Sequence, residues 1–268
     1  MKVDPKKLIV FLPDTRGTTI SRFGAGNLKI GPNVFTYSRL PGLPTEPALG
    51  FEGHYFMDRE SWLRSEYVTE GYEGTCPGAT DECRAICYAA RPVAENGPVF
   101  QMWWKNSRTE DVPEEVPADC RLLRLHISGD FTSVEYIDGW TSLISRNPDV
   151  TVWAYTRSWR VPALLPALER LRALPNMQLF ASIDKSCEEL PPTGWRRAWI
   201  DGDPRAGTPL RILSHSEAAE TFAAFELQQT ADDVKSLICP EETKAVKNCE
   251  ECGFCFRGKR NDVTFLLH

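Results

Sequence analysis

From residue 120 onward, short apolar runs alternate with segments of helical length and periodicity. The predicted strands are 122–127, 150–155, 178–183, 196–200, 210–213, 236–239 and 263–267. The predicted helices are 133–145, 161–174 and 217–229. Strands that alternate with helices in this way indicate βαβ units and a parallel sheet. Since no Gly-x-Gly-x-x-Gly follows a strand, the pattern favours an α/β fold of the TIM-like (β/α) barrel type, complete or partial, over a Rossmann sheet.

The chain reads as a single domain with three regions. Residues 1–75 form an N-terminal strand and loop region, rich in Gly, Pro and Thr, with candidate strands at 8–12 and 34–40. Residues 76–239 form the barrel body, and residues 239–268 form a cysteine-rich segment with a final strand. Because 42% of the residues are hydrophobic and 25% are charged, the composition is that of a globular protein and excludes long disorder.

Charge and hydropathy limit the partners that we expect. The net charge of −6 argues against a surface built for a phosphate backbone, so no strong nucleic-acid signal is present. No apolar run approaches the roughly 18 residues that a membrane-spanning helix needs. The sequence therefore predicts a soluble cytoplasmic protein, and it leaves the oligomeric state and any small-molecule partner undetermined.

Nine cysteines are present, and in a reducing cytoplasm thiols persist as ligands or nucleophiles rather than as disulfides. The first set has the spacing C-x6-C-x3-C and consists of Cys76, Cys83 and Cys87. A helix over 82–90, capped by Thr80 or Asp81, would put Cys83 and Cys87 one turn apart on one face. Three ligands with a fourth position open are typical of a reactive metal centre rather than a structural one.

The second set has the spacing C-x9-C-x2-C-x2-C and consists of Cys239, Cys249, Cys252 and Cys255. Pairs two residues apart form tight turns that direct two sulfurs at one centre, and Gly253 permits the positive φ that such turns often need. A [4Fe-4S] cluster and a four-thiolate zinc ion are both compatible with this set, and the two sets could also combine around one cluster. The remaining Cys120 and Cys187 have no neighbouring cysteine, so we expect small buried side chains.

Polar residues follow several predicted strands, where the carboxyl ends of barrel strands carry the chemistry. They are Ser128-Gly129-Asp130, Thr156-Arg157, Asp184 and Cys239. The alternative for Asp130 and Asp184 is that each caps the helix after it, and the alternative for Arg157 is a surface ion pair.

These features together resemble the radical S-adenosylmethionine (SAM) superfamily, whose members are (β/α) barrels with a three-cysteine [4Fe-4S] cluster. The resemblance implies that Cys76, Cys83 and Cys87 hold that cluster and that the C-terminal cysteines form an auxiliary site. It also implies that Ser128, Gly129 and Asp130 meet the amino group of SAM, Arg157 its carboxylate, and Ser182 or Asp184 its ribose. The usual spacing in that superfamily is C-x3-C-x2-C, which this chain does not have.

Residues 70–268 also resemble a cysteine-rich family carried by bacteriophages, on the motifs 75–88, 126–131, 154–159 and the final cysteines. The resulting expectation is an iron-sulfur protein with one or two clusters, acting as a radical SAM enzyme on an unknown substrate. The alternative is a non-catalytic phage protein, stabilised by a cluster or by zinc, that binds a macromolecule of the host.

Overall fold

The computed structural model describes residues 22–41, 74–89, 97–107, 109–226, 236–257 and 261–266. Its strands are β1 (Val34–Tyr37), β2 (Leu122–Leu125), β3 (Thr151–Thr156), β4 (Met177–Ile183), β5 (Arg196–Ile200), β6 (Ser236–Ile238) and β7 (Asp262–Phe265). Its helices are α1 (Asp81–Ala85), α2 (Gly97–Ser107), α3 (Val134–Ser145), α4 (Leu165–Arg172), α5 (His215–Glu226) and α6 (Cys249–Cys252). The candidate strand at 8–12 lies outside the described residues.

All seven strands belong to one sheet, and every neighbouring pair is parallel, which confirms the predicted α/β class. The order is β1-β2-β3-β4-β5-β7-β6, so the last strand in sequence lies between β5 and β6. Within the described residues β1 and β6 form the two edges and do not pair with each other. The closed barrel is therefore not formed, and the sheet is open.

One physical reason for the open sheet is that a predicted strand is missing. Residues 210–213 contribute only a single bridge, between Leu210 and Leu237, because the chain turns away at once to enter α5. The edge strand β6 has only three residues and one fully paired neighbour. A strand this short offers few hydrogen bonds for closure.

Helices α3 and α4 cover one face of the sheet. Their buried residues, among them Trp140 and Leu168, pack with alternate strand residues such as Leu123, Val152 and Leu179. Helix α3 begins where predicted, because the Ser133 side chain accepts a hydrogen bond from the Tyr136 backbone N–H. This face forms an ordinary apolar core.

The opposite face is covered by the C-terminal cysteine segment, residues 239–256. Phe254 and Cys252 pack against Phe180 of β4, and Phe256 packs against Trp153 of β3 at 4.8 Å between ring centroids. The segment before β1 closes over the same region, since the Cys249 N–H donates to the Lys29 carbonyl at 2.9 Å. The cysteine segment thus occupies the place where crossover helices cover the second face of many parallel sheets.

Candidate functional site

The carboxyl ends of β2, β3 and β4 carry a closely connected polar network. Both carboxylate oxygens of Asp130 are buried and occupied. Oδ1 accepts from the Phe131 N–H and the Thr156 hydroxyl at 2.8 and 2.6 Å, and Oδ2 accepts from the Arg157 and Ser158 N–H groups at 2.7 and 3.2 Å. Burial raises the pKa of Asp130, although these hydrogen bonds oppose the shift. Asp130 therefore joins the loops that follow β2 and β3.

The Asp184 carboxylate, like that of Asp130, accepts hydrogen bonds from protein groups. Its side chain is fully buried and accepts from the Thr80 hydroxyl at 2.7 Å, from Ser186 and from the Arg157 guanidinium. Burial acts to raise the pKa of Asp184, but the Arg157 charge and the hydrogen bonds outweigh it and lower the pKa. The predicted surface ion pair of Arg157 is thus a buried one.

Glycines allow the loops at this edge to approach each other. Gly129 has φ of +77°, and a Cβ atom there would lie 2.5 Å from the Thr75 hydroxyl oxygen. A Cβ atom on Gly78 would lie 2.0 Å from the Arg157 carbonyl oxygen. The Ser128 hydroxyl is buried and has no hydrogen-bond partner among the described residues. These close approaches hold the loop of the first cysteine set over the strand ends.

The first cysteine set lies at this edge, but its local geometry differs from the prediction. Thr80 caps α1 and accepts from the Cys83 N–H at 3.0 Å. The helix ends at Ala85, so Cys87 follows it and does not share a helical face with Cys83. Cys83 lies against the Arg157 guanidinium, and burial raises the pKa of the Cys83 thiol. Tyr88 lies within electrostatic range of Cys83 and Cys87.

Cys187 is not the isolated thiol that its spacing suggested. Its sulfur lies 3.9 Å from Arg157 Nη1 and 3.8 Å from Asp184 Oδ1. The same guanidinium therefore contacts both Cys83 and Cys187, which sequence separation hides. Cys120 is buried beside its own strand, with its sulfur 3.7 Å from the Leu122 carbonyl oxygen, as expected.

Arg205 holds the loop that carries Asp184 and Cys187. It donates to both of their carbonyl oxygens, and Asp203 fixes its guanidinium at 2.7 Å. Hydrogen bonding from Arg205 lowers the pKa of Asp203, against the effect of burial. Sequence reasoning missed this pair, because Asp203 and Arg205 form a small local turn with no recognisable motif.

A stability measurement checks the Asp203 pair. We expect Asp203→Asn to lower the free energy of unfolding by about 2 kcal/mol near pH 7. Because the folded pKa of Asp203 lies below its unfolded value of about 3.9, the carboxylate stabilises the fold above that value and ceases to do so as the pH falls through the folded pKa. Urea unfolding should therefore show the difference shrinking as the pH falls below about 4. A difference that stays constant with pH would contradict this assignment.

The second cysteine set gathers at β6 and the turn around α6. Asn248 caps α6, with its side chain accepting from the Glu251 N–H, and Gly253 ends the helix with φ of +68°, which confirms the predicted turn. The set consists of Cys239, Cys249, Cys252 and Cys255. Burial raises the pKa of all four thiols. Burial raises the pKa of Cys249 and of Cys252 to about 12 each, with the neighbouring Cys255 adding to both shifts.

Two arginines face this set from the sheet. Arg196 of β5 donates to the carbonyl oxygens of Phe254 and Cys255, each at 3.3 Å, and thereby fixes the backbone of the turn. Arg124 of β2 lies over the Tyr155 ring, 4.0 Å from its centroid. Neither arginine forms an ion pair with a carboxylate in the part of the chain that the structure describes.

The predicted cysteine ligands therefore lie in two regions, one at the carboxyl edge of the sheet and one on the face opposite α3 and α4. Among the described residues, no group of three or more Cys, His, Asp or Glu side chains is arranged to hold a single metal ion. No helix in the described ranges is long and apolar enough to cross a membrane.

Comparison with known proteins identifies relatives in bacteriophages. The chain is 28% identical over 224 residues to the Gene 88 protein of Mycobacterium phage L5, and 25% identical over 220 residues to that of Mycobacterium phage D29. Each alignment covers 72% of this chain and 83% of the relative. No solved structure matches the chain. The model of the Gene product 88 family matches residues 59–258, three quarters of the sequence, and the chain belongs to that family.

Proposed function

We propose that this protein binds a [4Fe-4S] cluster through Cys239, Cys249, Cys252 and Cys255. The observation that supports the proposal best is the charge environment of these four thiols. They lie against a sheet face that presents the positive charges of Arg124 and Arg196, neither of which forms a direct ion pair with a carboxylate among the described residues. Burying such charges is costly unless a negative group is close.

A thiolate-bound cluster would supply that negative charge. As neutral thiols the four cysteines add no negative charge beside the two guanidinium groups, and burial keeps the thiols neutral. Asp262 lies within electrostatic range of Arg196, whereas Arg124 has no ion-pair partner among the described residues. Metal binding removes the thiol protons, and a cluster held by four thiolates is negatively charged overall. Glu241 and Glu242, which lie near Cys239, are already paired with Lys29 and do not offset the arginines.

The sequence spacing of the four cysteines is compatible with a polynuclear cluster, which we propose in preference to zinc. Four sulfurs about 2.3 Å from one zinc ion would lie about 4 Å from one another. Ligands of a four-iron cluster stand further apart because each binds a different iron. The four thiols are nevertheless close enough for Cys255 to affect the other three electrostatically.

The proposal covers cluster binding and does not extend to SAM cleavage. In the radical SAM resemblance Asp130 holds the SAM amino group and Asp184 its ribose, but both carboxylates are buried and already bound to protein donors. Arg157, expected to hold the SAM carboxylate, is paired with Asp184. These contacts support a structural role for the three residues: Asp130 and Asp184 join loops rather than cap the helices after them, since Ser133 caps α3, and Arg157 forms a buried ion pair.

Anaerobic purification tests the proposal directly. We expect about four iron and four sulfide per chain for one cluster, and an EPR signal after reduction with dithionite. Adding SAM should leave that signal unchanged if Asp130, Arg157 and Asp184 are structural. A colourless preparation that contains zinc and no sulfide would contradict the proposal.

A further inference from the structure

We propose that Arg124 and Tyr155, which we call the tuning pair, raise the reduction potential of the cluster held by the C-terminal cysteines. The inference rests on the proposed cluster. Two contacts define the pair: the Tyr155 hydroxyl donates to the Cys255 sulfur at 2.9 Å, and the Arg124 guanidinium lies 4.0 Å from the centroid of the Tyr155 ring. Tyr155 lies in the 154–159 motif and Arg124 lies in no motif, and neither residue is a proposed ligand.

The buried Arg124 guanidinium has no negatively charged partner among the described residues. Its side chain is only 8% exposed, and its Nη1 atom is buried without a hydrogen-bond partner in the described part of the chain. Among the described residues, the Nε atoms of Arg39, Arg84 and Arg197 are also buried without a partner, but Arg124 lacks one at a terminal nitrogen. Buried guanidinium nitrogens in proteins are usually bonded, so this terminal nitrogen is available to a group that binds there. Cys249 and Cys255 both lie within its electrostatic range.

Tyr155 contacts both the Arg124 guanidinium and the Cys255 sulfur. The ring packs between Phe180 and Phe265, at 5.0 and 5.2 Å between centroids, so its hydroxyl is held in one direction. Stacking of the guanidinium on the ring is a cation–π contact, which also fixes the position of Arg124. The sulfur of Cys255 consequently receives a hydrogen bond from a rigid donor.

Both contacts favour the reduced state of a cluster. Reduction adds one electron to the core, from 2+ to 1+, and it breaks no bond and moves no proton. The electron increases the negative charge on the ligand sulfurs, so a hydrogen bond to sulfur and a nearby positive charge stabilise the product more than the reactant. Removing either contact should therefore shift the potential to more negative values.

Arg196 has a different role, although it also faces Cys255. Its hydrogen bonds within the described residues go to neutral acceptors: the carbonyl oxygens of Phe254, Cys255 and Asn261, and the side chain of Gln178. Replacing it would free the backbone of the cysteine turn. Arg197, the next residue of β5, points to the opposite face, where it lies 5.8 Å from the Trp199 ring. Arg197→Gln is therefore the matched control for a loss of charge.

The experiment compares Tyr155→Phe, Arg124→Gln, Arg124→Lys and Arg197→Gln in anaerobically purified protein. Iron and sulfide are measured first, and the midpoint potential is then measured by an EPR-monitored titration with dithionite. We expect full iron content in Tyr155→Phe and Arg124→Gln. At a fixed potential their ratio of reduced to oxidised cluster should fall about tenfold, a shift of about 59 mV for one electron. Arg124→Lys should recover part of the shift, and Arg197→Gln should show none.

Two outcomes would overturn the tuning pair while leaving the cluster proposal intact. One is fully loaded Tyr155→Phe and Arg124→Gln variants with the potential of the unaltered protein. The other is loss of iron from Tyr155→Phe, which would mean that the hydroxyl retains the cluster rather than tuning it. Absence of iron from the unaltered protein would instead refute the proposed function itself.

Discussion

Replacing Cys252 with serine is expected to remove most of the iron from anaerobically purified protein. Cys252 is buried at the end of α6, and its thiol interacts with both Cys249 and Cys255. A serine hydroxyl is a poor ligand for iron, and the neighbouring Cys249 and Cys255 are themselves proposed ligands. The measurement is iron and sulfide per chain, with the absorption spectrum as a second readout.

Cys120→Ser is the matched control for this prediction. Cys120 is also buried, but it lies beside β2 on the helix-covered face, away from the cysteine segment. We expect it to retain the iron of the unaltered protein. Cys187 is unsuitable as a control because it contacts Arg157 and, through it, Cys83. Equal iron in Cys252→Ser and Cys120→Ser would contradict the assignment of the ligands.

The same assay reports on the first cysteine set. Cys83→Ser leaves the iron content unchanged if only the C-terminal set binds a cluster. If Cys76, Cys83 and Cys87 hold a second cluster, the unaltered protein contains about eight iron per chain and Cys83→Ser loses about half. The iron count of this variant thus distinguishes one cluster from two.

Replacing Asp130 with asparagine is expected to lower the free energy of unfolding by about 3 kcal/mol. The four donors around Asp130 all require an acceptor, and an amide NH₂ in place of one oxygen would face two of them. Buried donors left without a partner cost about 1–3 kcal/mol each. Urea unfolding followed by circular dichroism measures the loss.

Asp138→Asn provides the comparison for Asp130. Asp138 pairs with Arg170 on the surface, where the two side chains are 47% and 52% exposed, and such pairs contribute less than about 1 kcal/mol. If Asp130→Asn proved as mild as Asp138→Asn, its carboxylate would not be a structural link between the loops after β2 and β3. A role in binding a ligand amino group would then be favoured again.

The sequence predicts most of the sheet because its strands are short, apolar and separated by helical segments. The predicted strand 150–155 is observed as Thr151–Thr156, and 178–183 as Met177–Ile183, each within one residue at both ends. The strand prediction is wrong at 210–213, where an apolar run forms a single bridge. Strand order and closure depend on contacts between distant segments, so the place of β7 between β5 and β6 could not be read from local pattern.

The candidate site was predictable in its cysteines and much less so in its surroundings. Spacing alone separates the two cysteine sets, and Gly253 marks the turn between two of the thiols. The buried arginines carry a weaker signal: Arg124 lies within the apolar strand β2, where a charge needs a partner, whereas Arg196 begins β5 beside Arg197. Asp130 and Asp184 were ambiguous, since a strand-end carboxylate suits a ligand site and a loop link equally well.

The position of β7 also affects the order in which this protein assembles. Strand β6 is translated before β7, yet among the described residues β7 is the strand that pairs with β6 along its length, and β7 separates β6 from β5. During synthesis on the ribosome, β6 can therefore form its ladder only after β7 has left the exit tunnel. Until then the cysteine segment is the tether that connects β6 to the strand still to come. Any group that draws Cys239 and the turn at 249–255 together would shorten that tether and hold β6 beside the gap that β7 fills.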